Sequence, residues 1–217
     1  MPLKSVKIDL ESPLPNPTLQ HVVKILQGGG LVCAPCCGTY RILADLMDPE
    51  AVTRLMQSKR RTGKAPALVF IGATDGLAHV AEGVEAGAQE VARAFWPGAV
   101  TLLVDAHREI PAKVRKMIAP KNKRIGVRVP EDIIGRQICE AFGGPLLVSS
   151  ANKANKSGEE SPAQVRRTFL GRVDLMLDAE DLRKGHHSSV VDIRDGELTI
   201  QRQGLVPEDE IRAVFAG

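Results

Sequence analysis

The sequence predicts an α/β fold, mixed and mainly three-layered, in which helices flank a sheet. Two observations carry this expectation. Short apolar runs of strand length alternate with helix-period segments along almost the whole chain. Near the C-terminal end, Arg194-Asp195-Gly196 separates two such runs and reads as a hairpin turn, which adds an antiparallel pair. A length of 217 residues suits one domain, 1–217, and a composition that is 43% hydrophobic supplies its core.

In chain order, Val6–Leu10 alternates like a strand. Asn16-Pro17 offers a cap and a first-turn proline, Val22, Val23, Ile25 and Leu26 give that helix its apolar face, and Gly28-Gly29-Gly30 stops it. Gly30–Pro35 reads as a buried strand. Asp48-Pro49 starts a second helix through Val52, Leu55 and Met56. Strands are expected at Ala67–Ile71, Val100–Val104, Ile125–Val129, Pro145–Val148 and Leu175–Leu177, and helices at 85–95, 131–142 and 162–169. Ser189–Ile193 and Glu197–Arg202 flank the hairpin turn, and Pro207 opens a short C-terminal helix within 206–217. Strand order does not follow from the pattern.

Net charge is +3, and its distribution is uneven. Residues 54–64 carry Arg54, Lys59, Arg60, Arg61 and Lys64 without an acid; residues 112–128 carry Lys113, Arg115, Lys116, Lys121, Lys123, Arg124 and Arg128, again without one. These twelve cations leave the rest of the chain at −9, a segregation that favours a polyanionic partner. No apolar run approaches the roughly 18 residues of a membrane span. Met1-Pro2-Leu3-Lys4 lacks the apolar stretch of a signal peptide. Four cysteines, Cys33, Cys36, Cys37 and Cys139, are too few and too clustered for a disulfide framework. The expected location is the reducing cytoplasm, away from membranes.

Several short motifs could carry chemistry. Lys59-Arg60-Arg61 ends a helix just before a strand, and Lys59 and Arg61 suit phosphate oxygens, one as a compact ammonium and the other as a planar fork. Ser149-Ser150-Ala151-Asn152 follows directly on an apolar strand, at the carboxyl end where open α/β sheets bind ligands. Phe95-Trp96-Pro97-Gly98 reads as a helix end and turn with buried rings. With 3% aromatics the chain is short of the stacking platforms used for single-stranded nucleic acid. Cys33-x-x-Cys36-Cys37 lacks a second ligand pair, so no structural metal is expected; Cys33 reads as core and Cys36-Cys37 as loop. There is no P-loop and no dinucleotide glycine fingerprint.

Taken in order, these pieces resemble the YrdC/YciO family, whose best-known members are threonylcarbamoyl-adenylate synthases. The strand–Pro35–loop–Tyr40 segment is similar to the family's Pro-Thr-(Asp/Glu)-…-Tyr-Gly-Leu stretch, Lys59-Arg60-Arg61 to its Lys-x-Arg, and Pro66-Ala67-Leu68 to the strand that follows. Trp96-Pro97-Gly98-Ala99-Val100-Thr101 resembles its Trp-Pro-Gly-x-x-Thr, Arg128-Val129-Pro130 its Arg-x-Pro, and Ser150-Ala151-Asn152 its Ser-x-Asn. Ser188-Ser189-Val190-Val191-Asp192 resembles its Ser-Thr-Val-Val-Asp strand, and Arg202-Gln203-Gly204 its Arg-Pro-Gly. The likeness runs from about 18 to 205.

The resemblance implies a YrdC-like twisted mixed open sheet with flanking helices and a basic concave face. It implies a synthase that joins ATP, bicarbonate and an amino acid into a threonylcarbamoyl-AMP-type adenylate for tRNA modification, with Mg²⁺ carried on the ATP phosphates. Carried over, Lys59 and Arg61 are the catalytic cations; Lys59, Arg61, Ser150, Asn152, Ser188 and Arg202 bind nucleotide; Cys36, Tyr40 and Arg128 bind the small carboxylate substrate. The departures fall in one place. Cys36-Cys37-Gly38 stands where synthases carry hydroxyl and acidic residues, and Arg41 where they carry a small one. Thr62 and Gln203 replace two prolines, and Lys153–Lys156 lengthens the segment after Ser-Ala-Asn. The phosphate side looks kept and the threonine side altered. The alternative is a non-catalytic, YciO-like protein that binds double-stranded RNA or tRNA through backbone and shape. A further one is a paralogue with another small ligand.

Overall fold

The computed structural model describes residues 4–59, 66–119, 124–151, 161–169, 171–182 and 187–216. Its elements in chain order are β1 (Lys4–Lys7), α1 (Asn16–Gln27), β2 (Val32–Cys36), β3 (Thr39–Asp45), α2 (Pro49–Lys59), β4 (Leu68–Phe70), α3 (Leu77–Val80), β5 (Ala81–Glu82), α4 (Ala86–Phe95), β6 (Val100–Ala106), α5 (Ala112–Ile118), β7 (Arg124–Arg128), α6 (Ile133–Phe142), β8 (Leu146–Ser150), α7 (Pro162–Phe169), β9 (Leu175–Asp178), β10 (Ser189–Arg194), β11 (Glu197–Arg202) and α8 (Glu208–Ala216).

The strands form one mixed sheet in the order β1-β9-β2-β3-β8-β4-β7-β6-β10-β11, with β5 paired to β6. Along this order four pairs are parallel (β1–β9, β2–β9, β4–β7, β6–β10) and five antiparallel (β2–β3, β3–β8, β4–β8, β6–β7, β10–β11). The twisted mixed sheet with flanking helices is therefore the one expected. The first strand is an exception in detail: it spans Lys4–Lys7, not Val6–Leu10, because Asp9 already turns the chain by accepting from Glu11 N (3.0 Å) and Ser12 Oγ (2.8 Å).

Two apolar cores lie on opposite sides of the sheet. On one, α1 and α6 bury Val22, Leu26, Ile134 and Ile138 against Val32, Ala34, Leu43, Phe70, Leu146 and Val148. On the other, α2, α4, α5, α7 and α8 bury Leu55, Val91, Val114, Phe169 and Ile211 against Tyr40, Ile42, Val69, Leu102, Val127 and Val191. The first core stops at β4: neither β7, β6, β10 nor β11 contributes a side chain to it. Beyond β4, then, the α1–α6 side of the sheet is left for Arg128, Gly126, Thr101, Val190 and Asp192, which share a face by strand register.

Besides the short α3 and β5, two elements escape the sequence pattern. β3 is one, since Cys37-Gly38 does not read as a hairpin turn; yet Cys36 pairs with Thr39, and both central residues adopt positive φ, 52° and 73°. That is the twist-compatible turn of a two-residue hairpin. The other is α5, hidden inside the second cationic stretch. The charge of that stretch is also less segregated in space than along the chain. Lys113 pairs with Glu50 (2.7 Å), and buried Arg124 with Asp192, while Arg54 of the first stretch pairs with Asp174 (2.9 Å).

Candidate functional site

Strand ends build the site. Arg128 closes β7, Ser150 closes β8, Arg202 closes β11, and Ser188 immediately precedes β10. Arg41, near the start of β3, lies directly across from Ser150. Because Phe70 pairs with Arg128 on one side and with Leu146 of β8 on the other, Arg41, Ser150 and Arg128 project from the same side of the sheet.

Each of the three arginines is anchored in the same way, through Nε to a backbone carbonyl. Arg128 Nε donates to Gly98 O (2.7 Å), Arg202 Nε to Ser188 O (3.2 Å) and Arg41 Nε to Cys36 O (3.0 Å). A carbonyl fixes the plane of a guanidinium without cancelling its charge. Arg41 is further placed by the ring of Phe70, 5.9 Å from its guanidinium carbon. Arg202 also donates to Ser188 Oγ (3.3 Å), which shares a hydrogen bond with buried Thr101 Oγ1 (2.8 Å). The three cations sense one another: burial, then Arg41 and Arg128, hold the Arg202 guanidinium below its usual pKa.

Two glycines allow this geometry. At Gly98 a Cβ would fall 2.2 Å from Phe95 O, so only glycine lets the Trp96-Pro97-Gly98 turn bring its carbonyl to Arg128. At Gly204 a Cβ would meet Ser188 C and Ser189 N at 2.3 Å, so the Arg202-Gln203-Gly204 segment crosses the 187–189 backbone in direct contact. Leu205 N→His187 O (2.9 Å) and Gly204 N→Ser189 Oγ (2.9 Å) fasten the crossing.

The Cys36–Arg41 turn is tied down from outside. Asp132 caps α6 by accepting from Gly135 N (2.8 Å), and its other oxygen accepts from Cys37 N (3.1 Å) and Cys37 Sγ (3.4 Å). The Cys37 thiol is pushed up to about 12, mainly by burial, with Arg128 opposing and Asp132 reinforcing the rise. At neutral pH it is a protonated thiol, not a nucleophile. Four free thiols, Cys33, Cys36, Cys37 and Cys139, are present.

Of the sequence-derived site residues, Ser150, Ser188, Arg128 and Arg202 come together here. Lys59 is the last residue of α2. Arg61 and Asn152 lie outside the described residues. Two others are corrected. Cys36 is not a loop residue facing a substrate: it ends β2, and its thiol is buried in the α1–α6 core. Tyr40 is fully buried on the opposite side, where its hydroxyl donates to Glu180 O (2.9 Å) and accepts from Ala179 N (3.0 Å). The alternation of β3 that sends Arg41 to the site sends Tyr40 into the core. Arg128 is reached only in part: it is 2% exposed, and its terminal nitrogen pairs with Glu131. Sequence reasoning missed Asp132, whose signal was a helix cap mistaken for helix, and Thr101, whose signal was the turn motif it closes.

The comparisons with known proteins agree with this arrangement. The Sua5/YciO/YrdC family model, described as "Telomere recombination", matches residues 24–204. A threonylcarbamoyl-AMP synthase of Chromohalobacter salexigens is 31% identical over 184 residues, 85% of this chain and 96% of that protein. One from Pyrococcus abyssi is 28% identical over 190 residues, 88% of this chain; the chain spans only 55% of that relative. Among solved structures, P. abyssi Sua5 complexed with L-threonine superimposes with a TM-score of 0.85 at 25% identity, covering 98% of this chain and 60% of the other. E. coli YciO shares the fold, with a TM-score of 0.80 at 21% identity over 94% and 96% of the two chains. With a family model spanning most of its length and the motif turns seated around one arginine cluster, the chain belongs to the Sua5/YciO/YrdC family.

Proposed function

We propose that this chain is an adenylate-forming enzyme that makes a threonylcarbamoyl-AMP-type product from ATP, bicarbonate and an amino acid, the product serving tRNA modification. The observation that supports it is the meeting of Arg41, Arg128 and Arg202 beside Ser150 at strand ends, in a chain similar to named synthases. In this reading Lys59, Arg61, Ser150, Asn152, Ser188 and Arg202 hold the nucleotide, whose phosphates bring Mg²⁺ with them. Lys59 and Arg61 take the developing charge on the phosphoryl oxygens. Arg128 receives the amino-acid carboxylate once Glu131 swings aside; the Glu131 side chain is 42% exposed and free to leave.

The chemistry asks for alignment more than for an acid or a base. The amino group takes its carboxyl from bicarbonate with loss of water, giving a carbamate. A carbamate oxygen then bonds to the α-phosphorus as the bond to the bridging oxygen breaks, and pyrophosphate leaves with the electron pair. Fixed cations that gain strength as charge moves onto phosphoryl oxygens lower that barrier, and holding both reactants removes the cost of bringing them together. Pyrophosphate release is expected only when ATP, Mg²⁺, bicarbonate and an amino acid are all present. Release no greater than that of a Lys59→Ala control would remove the proposal.

A further inference from the structure

We propose that Arg41 makes this site selective for an amino acid carrying a second carboxylate, aspartate or glutamate, over threonine. The inference rests on the adenylate-forming reading above and concerns the second substrate of that site.

The charge balance of the cluster is the first argument. Three guanidiniums converge, and Glu131 on Arg128 is the one acid paired with them among the described residues. Among the described residues Arg202 bonds to the neutral oxygens of Ser188 alone. Arg41 uses only Nε, toward Cys36 O, and its terminal nitrogens carry no partner among the described residues. Burial and the fields of Arg41 and Arg128 together penalise the charge on Arg202, so the three cations repel one another, a cost a bound anion relieves. Other arginines of this chain with carboxylates in reach are paired with them, as Arg54 is with Asp174 and Arg124 with Asp192.

The second argument is geometric. Arg41 is preset: Nε is held by the Cys36 carbonyl, and the guanidinium lies over Phe70. A planar fork fixed at Nε offers both terminal nitrogens to a carboxylate at little further entropic cost. The third is what the turn withholds. The N–H and thiol of Cys37 are both spent on Asp132, and the Tyr40 hydroxyl is spent on Ala179 and Glu180. Thr39 keeps one buried hydroxyl, and the charged group that the turn offers to a side chain is Arg41. A neutral hydroxyl gains little from that cation; a carboxylate gains a charge-assisted pair.

The test is calorimetric titration of the full chain, with a non-hydrolysable ATP analogue and Mg²⁺ present, by L-aspartate, L-glutamate, L-asparagine, L-glutamine and L-threonine. Pyrophosphate release is measured in parallel with ATP. An acidic amino acid is expected to bind at least about tenfold more tightly than its amide and than threonine, a factor within reach of one charge-assisted pair. Arg41→Gln should bring that ratio close to one, and Arg41→Lys should retain part of it. Circular dichroism checks that the variants fold, and the lysine variant, which keeps the charge, carries the test if the glutamine variant does not. Equal binding of acid and amide, tighter binding of threonine, no binding of any amino acid, or a preference unchanged in Arg41→Gln would each overturn the proposal. Pyrophosphate release with threonine alone would sink the selectivity and leave the adenylate reading standing. Arg41-dependent binding of aspartate or glutamate without release would do the reverse.

Discussion

Replacing Asp132 with alanine should destabilise the protein by about 3 kcal/mol, although the residue is a member of neither apolar core. Two losses add. One oxygen caps α6 through Gly135 N at 2.8 Å, and removing such a cap costs about 1 kcal/mol. The other accepts from Cys37 N at 3.1 Å and from the thiol at 3.4 Å. A hydrogen bond to a charged acceptor contributes roughly 1.5–3 kcal/mol, and here its loss releases a turn whose first central residue, Cys37, is a non-glycine at φ 52°. In a domain of this size about 3 kcal/mol lowers Tm by roughly 6–12 °C. Urea unfolding followed by circular dichroism measures it, with the m-value expected to stay constant. Asp132→Asn should cost about half as much, since its single amide oxygen can serve one donor set and not both. Hydrogen exchange adds a local readout: the Cys37 amide should lose protection in Asp132→Ala, while the core amides of β7 keep theirs. If Asp132→Ala unfolds within about 0.5 kcal/mol of the parent, the tether from α6 to the turn carries no weight and the reasoning fails.

Tyr40→Phe should cost about 1–3 kcal/mol, because it leaves the buried Ala179 N without its acceptor and removes the donor to the part-buried Glu180 O; a change in substrate KM without a loss of stability would contradict the structural role. Thr39→Val should be neutral or slightly stabilising in the same urea assay, since Thr39 Oγ1 is buried without a hydrogen-bond partner among the described residues and valine keeps its shape while removing the unsatisfied group. Stability should also fall above pH about 9. The Cys37 thiol is raised from 9.0 to about 12 when folded, so above 9 the unfolded chain releases its proton first; this contribution is whole below 9 and lost as the pH passes through about 12. Rapid alkylation of Cys37 by iodoacetamide at pH 8 would refute the protonated, shielded thiol.

Much of the fold was legible because its signals are local. Asn16-Pro17, Asp48-Pro49 and Gly28-Gly29-Gly30 set helix ends that the structure reproduces at Asn16–Gln27 and Pro49–Lys59, and Arg194-Asp195-Gly196 set the β10–β11 hairpin. β3 was missed because its turn uses cysteine where asparagine or aspartate is usual; a strained φ at Cys37 is supported by Asp132, 95 residues away, and no local pattern reports that. The same gap misplaced Tyr40. Without β3 there is no alternation to say that Tyr40 and Arg41 point to opposite sides. Arg124 and Arg128 illustrate a related limit of composition: neighbouring cations in sequence read as a basic surface, but the sheet brings Asp192 to Arg124, and Arg128 meets Glu131 three residues further on.

The way each arginine is held separates the two kinds. Arg54, Arg124 and Arg166 face carboxylates, Asp174, Asp192 and Asp178, and act as clamps between elements. Arg41, Arg128 and Arg202 have Nε on the carbonyls of Cys36, Gly98 and Ser188. Those three carbonyls belong to a two-residue hairpin, a glycine turn and a glycine-permitted crossing, the backbone features on which the family motifs fall. The motifs thus specify carbonyl positions as much as side chains. An acid in their place would orient an arginine equally well but would compete with the ligand for its charge. Neutral anchors leave that charge available on Arg41 and Arg202, while Arg128 carries Glu131 on a terminal nitrogen as well, and the repulsion of the three cations is contained by the sheet that carries them. On this reasoning Gly98→Ala, which forces the Phe95 carbonyl away from a Cβ at 2.2 Å, should weaken anion binding by displacing Arg128 without removing any cation. Titration with ATP should show the loss in affinity, and an unchanged affinity in a folded Gly98→Ala variant would mean that the carbonyl does not set the position of the guanidinium.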